Sequence, residues 1–189
     1  FTEQIRKQAL IVLLFVCCAY AGFAQITRTQ MINNGIPYTT YNFTATSANL
    51  GARNCSGVGT ETAASWVKAG QNTSMPYCWG GFSTLASFTN GLTKGKSAGD
   101  VTTSNGGDCC ESCALGVDCS GFVSRCWGRS TKESTSSLPN ISTALSSASV
   151  TQPGDVFNKA GSHVRMVETN YGNGNYRVLE SSANGWHCA

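Results

Sequence analysis

Asp118-Cys119-Ser120-Gly121-Phe122-Val123 sets a cysteine at the head of a short apolar helix, and this placement constrains the fold more than any other stretch. Phe122, Val123 and Cys126 follow Cys119 at i+3, i+4 and i+7, so one helix face must be buried, and Gly128 ends it. A thiol in a first helical turn lies beside unsatisfied N–H groups and the positive end of the dipole, which favours thiolate. Asp118 stands where it can cap the helix, although its charge opposes that thiolate. The competing reading is an inert buried cysteine acting as a small hydrophobe.

The chain has only two histidines, His163 and His187, and His187 is the third residue from the end of the sequence. An imidazole base is therefore expected at His163, which opens a strand after a Gly-Ser turn. Three strands are expected, at Gly154–Asn158, His163–Asn170 and Tyr176–Ser182. Tyr171-Gly172-Asn173-Gly174-Asn175 separates the last two and reads as a hairpin signal. If the hairpin closes around Asn173-Gly174, Glu180 falls directly opposite His163 or diagonal to it, within reach of a long side chain. A carboxylate there would orient the imidazole and stabilise its charged form. A rim charge paired with Arg165 is the competing reading of Glu180.

The first 24 residues read as a secretory signal peptide. Arg6 and Lys7 are its basic region, Ala9 to Ala21 its apolar run, and Gly22-Phe23-Ala24 its small-residue cleavage site. The run is short for a membrane span and lacks a basic stop. No stable membrane insertion is expected after cleavage, and the protein is expected to be secreted or periplasmic. Removing Glu3, Arg6 and Lys7 from 13 basic and 10 acidic residues leaves a net charge near +2, with no basic cluster. That balance argues against nucleic acid as a partner.

Eight cysteines remain after the signal: 55, 78, 109, 110, 113, 119, 126 and 188. Export makes disulfides their default state, with connectivity open. Cys110 and Cys113 also have redox or, with Cys109 and Cys119, zinc-ligand character. A Gly-rich setting and scattered partners favour a structural crosslink over either, so no metal or organic cofactor is expected.

The rest of the chain divides into an arm over 25–59 and a catalytic domain over 60–189. The arm, with its short β-like runs, is expected to be extended and packed on the domain. Thr60 is expected to cap a helix through Lys68, and Ser83 a second helix over 82–92. Residues 93–117 read as a crosslinked surface loop, and an insertion is placed at about 82–116.

Four blocks then occur in order: Tyr77-Cys78-Trp79-Gly80-Gly81, Gly116 to Val123, Pro153-Gly154-Asp155-Val156 leading to His163-Val164, and Val178-Leu179-Glu180-Ser181-Ser182. Together they resemble the NlpC-type bacterial cell-wall cysteine peptidases, a papain-like superfamily, over roughly residues 60–185. The resemblance implies an α+β, papain-like fold with its nucleophile at a helix N-terminus packed on an antiparallel sheet. It implies Cys119 as nucleophile, His163 as base and Glu180 as the third residue. Tyr77 would help bind the oxyanion, with Asp118 and Ser120 as neighbouring oxyanion- or substrate-binding candidates. The implied activity is hydrolysis of a peptidoglycan stem-peptide amide, between D-glutamate and a diamino acid, by a monomer acting on peptidoglycan or muropeptides. An N-acetylmuramoyl-L-alanine amidase, an antibacterial effector with the same triad, and a silent disulfide-rich wall-binding domain are the rivals. This chain departs from the family in three ways: the 82–116 insertion, a glutamate as third residue, and Arg165 where a small apolar residue is common.

Overall fold

The described residues, 26–55, 59–102 and 113–189 of the computed structural model, form a mixed helix-and-sheet protein of the α+β kind. Its three helices pack with small sheets, all antiparallel except one two-residue pair. The expected signal peptide, Cys109 and Cys110 lie outside the described residues.

The arm is not merely extended: it opens on α1 (Arg28–Thr39). Thr27 and Gln30 form a reciprocal capping box, with Gln30 N donating to Thr27 Oγ1 at 3.2 Å and Thr27 N to Gln30 Oε1 at 2.8 Å. Gly35 and Pro37 disfavour a helix by propensity, but tertiary packing overrides them. A Cβ on Gly35 would stand 2.9 Å from Cys126 Sγ, so glycine lets α1 lie close on the helix that carries the thiols. Tyr38 is buried, donates to Ser83 O at 3.1 Å and meets Phe122 edge-on at 5.9 Å.

Strand β1 (Asn42–Ala45) pairs with β4 (Gly70–Thr73), and β2 (Ala52–Cys55) with β3 (Gly59–Thr62). The helix expected from Thr60 to Lys68 is therefore absent. Thr60 and Thr62 are β-branched residues in a strand, where χ1 restriction costs least, and the chain then turns, Val67 N donating to Ala64 O at 3.0 Å. Helix α2 (Leu85–Thr93) is capped by Thr84, one residue beyond the expected Ser83. Ser83 instead accepts from Gly116 N at 3.1 Å through its hydroxyl.

Strands β5 (Ser97–Ala98) and β6 (Ala114–Leu115) run parallel with all four residues buried. The described ends of the expected surface loop therefore belong to the core. A disulfide joins Cys55 at the end of β2 to Cys113 beside β6.

Helix α3 (Cys119–Cys126) starts at the predicted cysteine. It packs on a three-stranded sheet of β7 (Val156–Lys159), β8 (His163–Asn170) and β9 (Tyr176–Leu179), in that order. Strands β10 (Ser181–Ser182) and β11 (His187–Cys188) pair beyond β9. Val164 and Met166 of β8 join Phe122 and Val123 of α3 in the core, each fully buried. Among the described residues no helix is long and apolar enough to cross a membrane.

The hairpin differs from the expected two-residue closure. Asn170 pairs with Tyr176, leaving a five-residue loop, and a bulge between Val167 and Thr169 shifts the register so that Met166 meets Leu179. Gly172 and Gly174 take φ of 77° and 83°, left-handed values that glycine adopts without a Cβ penalty.

Candidate active site

Asp118, the N-cap of α3, accepts from Gly121 N at 2.6 Å and from the Ser120 hydroxyl at 3.0 Å through Oδ1. Its other oxygen accepts from Gly80 N at 3.1 Å and pairs with Lys132 Nζ at 2.7 Å. Both carboxylate oxygens and the Ser120 hydroxyl are thus engaged within the protein. Asp118 and Ser120, expected to bind substrate or oxyanion, hold the helix start and tie it to the Gly80-Gly81 turn. A Cβ on Gly121 would overlap the Gly81 carbonyl oxygen, and Asp118 N donates to that same oxygen at 3.2 Å. Glycines in both segments allow this backbone approach.

Tyr77 runs alongside the approach to the helix, paired with Val117 in a parallel bridge. Cys78 N donates to Val117 O at 3.2 Å, and Tyr77 N to Trp186 O at 2.9 Å. Burial, followed by the nearby Asp118 and Cys119, pushes the Tyr77 phenol far above its ordinary value. Its O–H therefore stays protonated near neutral pH, as a donor among those groups. Trp186 stands edge-on to the Tyr77 ring at 5.4 Å and has φ of 60°, uncommon for a residue with a bulky side chain.

His163 opens β8 and reaches both ways. Its Nε2 is hydrogen-bonded to Glu180 Oε2, and the Cys119 side chain lies near enough to be the first influence on its titration. The hydrogen bond to Cys119, then the one to Glu180, raises the imidazole to about 9. The bond to His163 and, after an opposing desolvation, the charge of Arg165 hold Glu180 below the ordinary carboxylate value. His163 and Glu180 keep side-chain exposures of 28% and 19%, so the pair borders solvent while Cys119 is mostly covered.

Glu180 touches both residues named for it in the sequence. The same Oε2 that meets His163 lies 3.5 Å from Arg165 Nε. Cys119, His163 and Glu180 form one line of contacts with Tyr77 beside the thiol, and His187 is elsewhere, 5.7 Å from the Trp66 ring. Lys132, on the Asp118 side of the thiol, and Trp186, against Tyr77, escaped the sequence reading. No motif marks them, because each arrives from a segment distant in sequence.

Cys119, Cys126 and Cys188 are thiols, all buried. Among the described residues the one group spaced to hold a metal is Cys55, Glu61 and Cys113, and two of these are joined in the disulfide. Cys113 is thereby removed from any zinc set with Cys119. A cavity of about 690 Å³ is lined by Trp127, Leu138, Ile141, Leu145 and Phe157 among others, away from Cys119 and His163. It holds an Arg28–Asp155 ion pair and none of Cys119, His163 and Glu180. Compared with known proteins, the chain matches no family model, no curated protein and no solved structure.

Proposed function

We propose that the protein is a papain-like cysteine peptidase of the NlpC type that hydrolyses an amide bond in peptidoglycan stem peptides, between D-glutamate and a diamino acid. The observation that carries this reading is the contact line Cys119–His163–Glu180 at a helix N-terminus, with the protonated Tyr77 phenol beside it. A nucleophile bonded to a base that is itself oriented by a carboxylate is the arrangement of covalent hydrolases. The Cys55–Cys113 disulfide supports a secreted or periplasmic location, where such bonds persist.

In the mechanism, Cys119 and His163 start as a thiolate–imidazolium pair, the thiol proton held on His163, and Sγ attacks the scissile carbonyl carbon. The carbonyl π pair moves onto oxygen, where the Tyr77 O–H and the Cys119 backbone N–H donate to it. As the first residue of α3, Cys119 has a backbone N–H without an intrahelical acceptor. The C–N bond breaks as His163 passes its proton to the leaving amine, which leaves a thioester. Water then loses a proton to His163 and attacks the thioester carbon. The C–S bond breaks, releasing the acid and regenerating the thiolate–imidazolium pair. Glu180 keeps the imidazole aimed at the sulfur through both halves.

Digestion of defined muropeptides, read by mass spectrometry, tests the reading. The expected fragments end in D-glutamate and begin with the diamino acid. Release of lactyl-free stem peptides beginning with L-alanine would assign an amidase instead. Intact muropeptides after digestion with the reduced protein would leave no hydrolase.

A further inference from the structure

Tyr77 lies in a segment clasped from both flanks. Val117, on the approach to Cys119, bridges it in parallel, and β11 runs antiparallel beside it through a Pro76–His187 bridge. Its backbone is held closely. Tyr77 N donates to Trp186 O at 2.9 Å, Asp100 N to Tyr77 O at 3.0 Å, and Cys188 N to Met75 O at 2.9 Å. The side chain is held differently. Among the described residues the Tyr77 hydroxyl makes no hydrogen bond, so its direction is set by what packs against the ring.

Trp186 packs there, edge-on, with ring centroids 5.4 Å apart and planes at 72°. That is the favoured geometry of an aromatic pair. The tryptophan comes from the turn that joins Ser182 to His187, its β-ladder partner. Ala183, Asn184 and Gly185 of this turn are exposed, but Trp186 folds inward and is half-buried against the core. Two successive residues of the turn are left-handed, Gly185 at φ 96° and Trp186 at φ 60°. Glycine adopts that region freely, whereas tryptophan resists it, so the contacts of Trp186 must hold it there. These are its ring against Tyr77 and a carbonyl that accepts from Tyr77 N and, at 3.0 Å, from the Trp66 indole Nε1. Both the ring and the carbonyl of a strained residue thus converge on Tyr77.

We propose that Trp186 is a positioning residue, whose ring fixes the Tyr77 ring so that the phenol O–H points at the oxyanion formed beside Cys119. The proposal rests on the peptidase reading and on Tyr77 as an oxyanion donor. Trp186 acts through that one hydroxyl and not on the thiol. A phenol free to swing loses its aim in the transition state while substrate binding is unaltered, so the effect falls on kcat rather than KM.

The test is a double-variant cycle on Trp186 and Tyr77, with one defined muropeptide as substrate. Trp186→Gly removes the ring and suits the left-handed backbone. It is expected to lower kcat about tenfold with KM little changed. Trp186→Phe keeps an aromatic edge and is expected to recover most of the loss. In the Tyr77→Phe background there is no hydroxyl to aim, so adding Trp186→Gly is expected to lower kcat no further. Alkylation of Cys119 by iodoacetamide is expected to keep its wild-type rate in every folded variant. Should Trp186→Gly fail to fold, Trp186→Asn, which also tolerates the left-handed backbone, takes its place with the same expectations. An unchanged kcat without the ring, a tenfold fall that persists in the Tyr77→Phe background, or a raised KM at constant kcat overturns the proposal and leaves the peptidase reading intact. So does a changed rate of Cys119 alkylation, which would mean a general disturbance of the site. Failure of the reduced wild-type protein to cleave the muropeptide overturns the peptidase reading, and the proposal with it.

Discussion

Glu180, the residue after β9, meets His163 at the start of β8 through its side chain. The last ladder pair is Met166–Leu179, so Glu180 stands one residue past the ladder, its backbone paired with Ala189, and its side chain reaches back to His163. A glutamate is long enough to make that reach and still touch Arg165 Nε at 3.5 Å. The bulge between Val167 and Thr169 fixes this register. A side chain one position along β9 would point to the opposite face.

The pH dependence of turnover should carry the mark of this pair. His163 titrates at about 9, above its ordinary 6.5, so its proton is held through neutrality and lost as pH rises through about 9. Glu180 is held below 4.5, so its charge is lost only as pH falls past the ordinary carboxylate range. Their mutual contribution to stability follows the same signs: the imidazolium's share is complete below 6.5 and gone above about 9, and the carboxylate's share is lost toward acid. In Glu180→Gln the alkaline limb of kcat/KM should move part of the way down toward 6.5. It should not move the whole way, because the bond to Cys119 is the larger cause. The rate should fall by roughly 10²-fold or more.

Tyr77→Phe removes one hydroxyl from a buried ring that keeps its edge-on contact with Trp186. An oxyanion donor acts in the transition state, so kcat should fall by roughly 10²-fold with KM little changed. Steady-state kinetics on a single muropeptide reads this directly. An unchanged kcat would remove Tyr77 from the oxyanion site.

Gly121→Ala tests whether close backbone approach builds the site. The added methyl would meet the Gly81 carbonyl oxygen, so the α3 start and the Gly80-Gly81 turn must separate. A loss of about 1–3 kcal/mol in urea unfolding is expected. A fall in kcat should accompany it, because the same displacement shifts Cys119 relative to Tyr77.

The Cys55–Cys113 bridge closes a sequence separation of 58 residues. Replacing both cysteines by serine should cost about 4 kcal/mol on loop-closure grounds. Chemical denaturation of the double variant against the oxidised protein measures it.

Much of the site was legible because its residues follow local rules. The apolar spacing after Cys119 gave a helix, the Gly-Asn loop after β8 gave a hairpin, and alternation brought Glu180 within reach of His163. What stayed hidden depends on tertiary contact. Helix α1 forms despite Gly35 and Pro37 because its capping box and the packing of Gly35 on Cys126 outweigh propensity. Thr60 looked like a helix cap because Ala63, Ala64 and Val67 share a helical spacing, yet Glu61 is fully buried in a strand paired with β2. A buried carboxylate in a strand leaves no periodic signal. The contacts of Asp118 with Lys132 and Gly80 were likewise hidden, because they join segments that no local pattern links.

The state of Cys119 tests the account most directly. The folded, unreduced protein is pulsed with iodoacetamide near neutral pH, digested, and mapped by mass spectrometry, with turnover followed in parallel. The account predicts one carboxamidomethyl group on Cys119, acquired in step with loss of muropeptide cleavage, while the deeply buried Cys126 and Cys188 react far more slowly. Recovery of Cys119 in a disulfide, or full modification of Cys119 with turnover intact, would contradict it.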